Sequence, residues 1–147
     1  MVLRGEAQVL ADRIFAGAPE AHGFPLWADG GSGPAAGPSG YASTAHKLTA
    51  YPSRVDHVRV EDLPPGGLNS WLQRRLEAGN GLTAVLLSYD AGRNLETLPE
   101  TAKESPRLPD VVLVHYDAWL EADTEAGPWR YVETRRGAGL PLLTAIA

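Results

Sequence analysis

Cysteine is absent, which excludes disulfides, thiol nucleophiles and thiolate metal sites. That absence fits a reducing compartment. Long apolar runs are missing too. The longest, residues 82–87 and 111–114, fall far short of the roughly 20 residues a membrane-spanning helix needs. The opening Met-Val-Leu-Arg-Gly-Glu has no basic stretch leading into an apolar core, so no secretion signal is expected. A cytoplasmic protein with no membrane partner is the expectation. Positive charge is scarce as well: 13 Lys and Arg stand against 18 Asp and Glu, for a net charge of −5. Nucleic-acid affinity rests on clustered cations, so a nucleic-acid partner is not expected. The pairs Arg74–Arg75 and Arg135–Arg136 do not change this, having no stacking platform beside them.

What is present describes one globular domain spanning residues 1–147. Hydrophobic residues make up 44% and charged residues 21%, as in folded rather than disordered chains. The 16 glycines and 12 prolines exceed the roughly 12% average share, so loops are a large part of the chain. Ala7, Leu10, Ala11, Ile14 and Phe15 fall at helical spacing and predict a helix over residues 6–16. Residues 24–28, 41–50 and 54–60 read as strands, the first an edge strand because Pro25 cannot donate to a ladder. Residues 29–40 are turn formers without apolar period and read as a mobile loop.

Leu68, Trp71, Leu72 and Leu76 mark one face of a helix, which Gly79-Asn-Gly81 should end through positive-φ residues. Residues 82–89 form a near-continuous apolar run, expected to be a strand buried on both faces. One helical turn is expected over residues 93–98 and a polar loop over 99–110. Residues 111–120 then form a strand with Val112, Val114 and Tyr116 on alternate positions. A last strand carries Trp129, Tyr131 and Glu133 after a turn at Gly127-Pro128, and the tail from Leu140 is apolar.

No catalytic constellation emerges. Gly37-Pro-Ser39-Gly40-Tyr41 misses the nucleophile-elbow pattern at its last position, and residues 29–40 lack the Gly-Lys-Ser/Thr of a phosphate loop. His22, His46, His57 and His115 never stand at the i, i+4 spacing of a helical zinc site. Asp56 and His57 are adjacent on a strand and point apart, whereas His115 and Asp117 share a face and read as a surface ion pair. Glu61, Asp62 and Glu96 are candidate carboxylates, but nothing sets two of them across a cleft, and Glu61 and Asp62 read as solvated charges. No catalytic residue and no metal ligand is assigned.

Residues 81–99 read Gly-Leu-Thr-Ala-Val-Leu-Leu-Ser-Tyr-Asp-Ala-Gly-Arg-Asn-Leu-Glu-Thr-Leu-Pro. This block resembles a segment of the amino-terminal domains of the aminodeoxychorismate synthase and anthranilate synthase component I family. There a glycine-led apolar strand runs into Tyr-Asp or Tyr-Glu, then a turn with a Glu and a Pro. Tyr89, Asp90, Gly92, Arg93, Glu96 and Pro99 stand at the matching positions. Leu108-Pro-Asp110 followed by an apolar strand matches the next family feature, and Phe24-Pro-Leu-Trp-Ala-Asp29 and Tyr51-Pro52 look like earlier ones. The resemblance is close over residues 81–120 and loose over 24–135. Gly92-Arg93 favours the aminodeoxychorismate branch over the anthranilate branch.

The resemblance implies an α+β fold of antiparallel sheets with a few flanking helices. It also implies a non-catalytic role, because the family's magnesium-binding glutamates and chorismate contacts lie in a carboxy-terminal catalytic domain that this sequence lacks. The chain itself would hold no cofactor. Its implied partners are that catalytic half and, through it, a glutamine amidotransferase subunit supplying ammonia for the path from chorismate to 4-aminobenzoate and folate. Without its other half the chain should expose an apolar face and self-associate. Where many members hold tryptophan through Leu-Leu-Glu-Ser and Arg-Tyr-Ser, this chain has Leu26-Trp-Ala-Asp29 and Gly40-Tyr41-Ala42, so that mode of regulation is not expected. Two other readings are open. One is a stand-alone aromatic-metabolite module using Trp27, Tyr41 and Tyr51. The other is a remnant without a present role.

Overall fold

The spacing of Ala7, Leu10, Ala11 and Ile14 does produce a helix, and all four side chains are buried. The computed structural model describes residues 1–17, 26–28, 46–97 and 108–147. In chain order the elements are β1 (Val2–Leu3), α1 (Ala7–Gly17), β2 (Leu26–Ala28), β3 (His46–Thr49) and β4 (Arg54–Val58). A 3-10 turn, Val60–Asp62, leads to α2 (Gly67–Glu77) and β5 (Leu82–Leu87). A second 3-10 helix, Tyr89–Asn94, precedes β6 (Val111–Tyr116), β7 (Ala118–Ala122), β8 (Trp129–Glu133) and α3 (Leu140–Ile146). The fold is α+β with two antiparallel sheets. The expected loop at 29–40 lies outside the described residues, as do most of the loop at 99–110 and the first residues of the strands at 24–28 and 41–50.

The chain forms two compact units, one of residues 1–53 with 116–147 and one of residues 54–115. The first holds a five-stranded sheet in the order β1-β8-β7-β3-β2. Its core joins Leu48, Leu120 and Trp129 from the sheet to Leu10 and Ile14 of α1 and Leu142 and Ile146 of α3. Trp129 is fully buried, and its indole N–H donates to the Gly5 carbonyl at 3.1 Å, so the polar end of the largest core side chain is satisfied. Thr49 is buried as well and donates its hydroxyl to the Ala118 carbonyl at 2.8 Å. The apolar tail is thus a core helix, begun by a proline in its first turn where a missing N–H costs nothing.

The second unit is a three-stranded sheet in the order β4-β6-β5, with α2 and the Tyr89–Asn94 helix packed on it. Leu68, Trp71, Ala91, Val111 and Leu113 form its core. Gly66 sits at φ 71°, in the left-handed region, and has no side chain to cap α2. Asn94 does that work from a distance: its carbonyl oxygen accepts the Leu68 N–H at 2.9 Å while its amide donates to the Pro64 carbonyl at 3.1 Å.

Four expectations are corrected here. The apolar run at residues 82–87 is an edge strand, not a strand buried on both faces. Val85, Leu86 and Leu87 are 44%, 44% and 58% exposed. A three-stranded sheet has one central place, and β6 takes it, with Val111, Leu113, Val114 and Tyr116 all fully buried. The single strand expected at residues 111–120 is two, β6 and β7, separated at Asp117 and lying in different sheets. Leu76, at the end of α2, is 42% exposed rather than core. Gly79 and Gly81 are not positive-φ caps. Gly79 is instead a close-approach position, where a Cβ would stand 3.3 Å from Nδ1 of His115.

Candidate functional site

Three adjacent strands converge on His115. It lies near the end of β6 opposite Arg54 of β4, and Asp56, two residues further along β4, points to the same face. His115 Nε2 is 3.0 Å from Asp56 Oδ2, and Nδ1 is 3.0 Å from the Thr83 hydroxyl on β5. With the proton on Nε2 the ring donates to the carboxylate and accepts from threonine at Nδ1, whereas with the proton on Nδ1 it donates to threonine and accepts from Arg54 at Nε2. The imidazole side chain is only 7% exposed, so this pairing matters energetically.

A hydroxyl, an imidazole and a carboxylate in that order form the set that activates a nucleophile. Here the carboxylate is already engaged elsewhere. Arg54 Nε lies 2.9 Å from Asp56 Oδ2, and a guanidinium nitrogen of Arg75, from α2, lies 3.8 Å from Oδ1. Arg54 also comes within 3.1 Å of His115 Nε2. Arg54 and Arg75 thus share the carboxylate with the imidazole, and every member of the group is held by a cross-strand or strand-to-helix contact. The cluster is therefore a pin that joins β4, β5, β6 and the end of α2. His115 does not pair with Asp117, as its spacing suggested. Asp117 instead meets Arg135 at 3.4 Å and Thr134.

The residues of the family-like block lie around the start of the Tyr89–Asn94 helix. Tyr89 does not pack, being 80% exposed. Asp90 accepts from Arg93 Nε at 2.7 Å, and the Gly92 carbonyl accepts the N–H groups of Leu95 and Glu96 at 2.9 and 3.0 Å. The expected turn at residues 93–98 therefore starts earlier, at Tyr89. Glu96 and Glu61 are exposed, Glu61 lying 3.7 Å from Arg59. Pro99 lies outside the described residues.

Of the candidate aromatic ligands, Trp27 lies in β2 opposite Leu48, and Tyr41 is outside the described residues. Tyr51 is partly buried against the core of its own unit.

The feature that sequence reasoning missed is the exposure at β5. Ser88, just after the strand, donates its N–H to the Asp110 carbonyl at 2.8 Å and its hydroxyl to Asp110 Oδ1 at 3.1 Å. These bonds set residues 87–89 beside residues 108–110, so exposed Leu87, Tyr89 and Leu108 stand at one end of the sheet. The apolar composition of residues 82–87 was visible in the sequence, but the strand's place at an edge was not.

In the five-stranded sheet, Glu121 gathers a separate polar group. It receives Lys47 Nζ at 3.2 Å and Trp119 Nε1 at 3.2 Å on one oxygen, and Arg130 at 3.1 Å on the other. Burial raises its pKa, but the bonds from Trp119 and Lys47 and the two positive charges outweigh burial and hold it below the ordinary value. Tyr131 is pushed up to about 12, by burial first and then by its bond to Glu133 at 2.6 Å.

Among the described residues no group of His, Asp and Glu could hold a metal ion, and no helix is long and apolar enough to cross a membrane. No protein-family model matches the chain, and comparison with curated proteins and with solved structures gives no match.

Proposed function

We propose that this chain is a non-catalytic docking domain, the amino-terminal part of an aminodeoxychorismate synthase component I-like protein, which acts with a separate catalytic half. The observation that carries the reading is the apolar edge strand, with Val85, Leu86 and Leu87 exposed in succession and Tyr89 beyond them. A soluble protein keeps such a surface for a partner. Among the described residues, the cluster of Thr83, His115 and Asp56 has its carboxylate held by Arg54 and Arg75 as well, which supports a structural rather than catalytic part for this chain. The family-like block of residues 81–99 contains β5 itself, so the surface and the resemblance coincide.

On this reading, amination of chorismate by ammonia takes place wholly on the partner, whose magnesium site supplies the electrostatics. The chain contributes shape and an apolar face. The test mixes the purified chain with a separately produced chorismate-binding domain of a component I enzyme, together with ammonia, magnesium and chorismate. The chain alone should give no product, and the mixture should exceed the catalytic domain alone. Equal rates with and without the chain overturn the reading.

A further inference from the structure

Nε2 of His115 has two partners that make opposite demands on it. Asp56 Oδ2 lies 3.0 Å away and, as a carboxylate oxygen, only accepts. A terminal guanidinium nitrogen of Arg54 lies 3.1 Å away and only donates. A ring nitrogen either carries a proton or offers a lone pair, so only one of these contacts is a hydrogen bond at a time. The arginine and the carboxylate are joined directly as well, with Arg54 Nε 2.9 Å from the same Asp56 oxygen. The three groups close a triangle whose third side changes with the proton.

The elements packed around the ring decide which side is satisfied. β4 supplies Arg54 and Asp56, and His57, next on that strand, points to the opposite face. β5 supplies the Thr83 hydroxyl, 3.0 Å from Nδ1, which can accept from that nitrogen or donate to it. α2 supplies Arg75, 3.8 Å from Asp56 Oδ1, and uncharged Gly79, just beyond that helix, closes on Nδ1. Two cations therefore balance the Asp56 carboxylate without help from the imidazole. The bond left to be made by a neutral ring is the charge-assisted one from Arg54.

We infer that Nε2 of His115 is a proton-driven switch: the neutral ring accepts from Arg54 there, and the protonated ring donates to Asp56 instead and turns Arg54 away. In both states Nδ1 carries a proton and donates to Thr83, so only Nε2 changes role. The added proton sets a positive charge against the guanidinium, and like charges in near contact repel. Arg54 is the member that moves, because its side chain is 41% exposed and Asp56 is 15% exposed. Histidine ordinarily changes charge between about pH 5 and 8, so acidification presents a released cation at the start of β4.

Nitrogen-15 spectra of the His115 ring and the Arg54 side chain, recorded on the wild-type chain across that pH range, test this. At the alkaline end Nε2 should show the shift of an unprotonated nitrogen and Nδ1 that of a protonated one. On acidification Nε2 should gain its proton, and the Arg54 side-chain protons should exchange faster with water at the same midpoint. Arg54→Met removes the competitor and should move the proton of the neutral ring to Nε2. A wild-type ring already protonated at Nε2 at the alkaline end overturns the inference. So does a ring that takes up no proton on acidification, Arg54 signals that do not follow the ring, or an Arg54→Met ring that keeps its proton on Nδ1. The wild-type titration decides the matter even if the variant misfolds.

Discussion

Asp56 and His115 meet at 3.0 Å across two paired strands, 59 residues apart in the chain. The pairing is diagonal: His115 lies opposite Arg54, and Asp56 lies opposite Leu113. Thr83 completes the line from the third strand, so the sheet's polar end is locked by one imidazole.

Thr83→Val keeps the side-chain shape and removes the hydroxyl. We expect a loss of about 1 kcal/mol, the net worth of one intramolecular hydrogen bond. Nitrogen chemical shifts of the His115 ring should change with it. A melting temperature and ring shifts equal to wild type would show that the bond is not formed.

Leu86 and Leu113 should separate sharply on substitution by Asp. Leu113 is fully buried and Leu86 is 44% exposed. Leu113→Asp buries a charge, adding to the roughly 1.5–3 kcal/mol of lost apolar burial, and should prevent folding. Leu86→Asp should cost about 1 kcal/mol or less. Denaturant titration of both variants checks the order.

Glu121 supplies a pH dependence. Its folded-state pKa lies below the ordinary value, so its contribution is present above the unfolded pKa of about 4.3 and is lost as pH falls through the lower, folded value. Glu121→Gln should lower stability at pH 7 by about 0.5–1 kcal/mol, typical of a partly exposed ion-pair group. The difference should vanish in acid. Melting curves across the acid range would show a constant difference if the carboxylate charge were irrelevant.

Gly139 is buried, and a Cβ there would overlap the Tyr131 ring. Gly139→Ala should cost about 1–3 kcal/mol through overpacking. Adding Tyr131→Leu should recover part of that loss, because the ring is the obstacle. Equal stability of the single and double variants would contradict the contact.

The sequence was most legible where a local period met a full core. The spacing of Ala7, Leu10, Ala11 and Ile14 predicts a helix, and the Gly127-Pro128 turn before Trp129 predicts a strand, because each signal lies within a few residues. It was least legible where position in a sheet decides burial. Residues 82–87 and 111–116 are both apolar runs, yet β6 is central and β5 is at an edge, and nothing local distinguishes them. The His115 cluster was hidden for the same reason. Asp56 and Thr83 carry no mark of a partner until strand order and register place them there. Asp117, two residues from His115, was the nearer but wrong acid.

The proposed role of this chain is that of a docking half whose apolar edge receives a catalytic partner. Chorismate amination with the chain, with a component I chorismate-binding domain, and with both, each with ammonia and magnesium, tests it most directly. The chain alone should give no product, the mixture should give more than the catalytic domain alone, and Leu86→Lys should lose that gain. Product from the chain alone, or a mixture no more active than the catalytic domain, would contradict it.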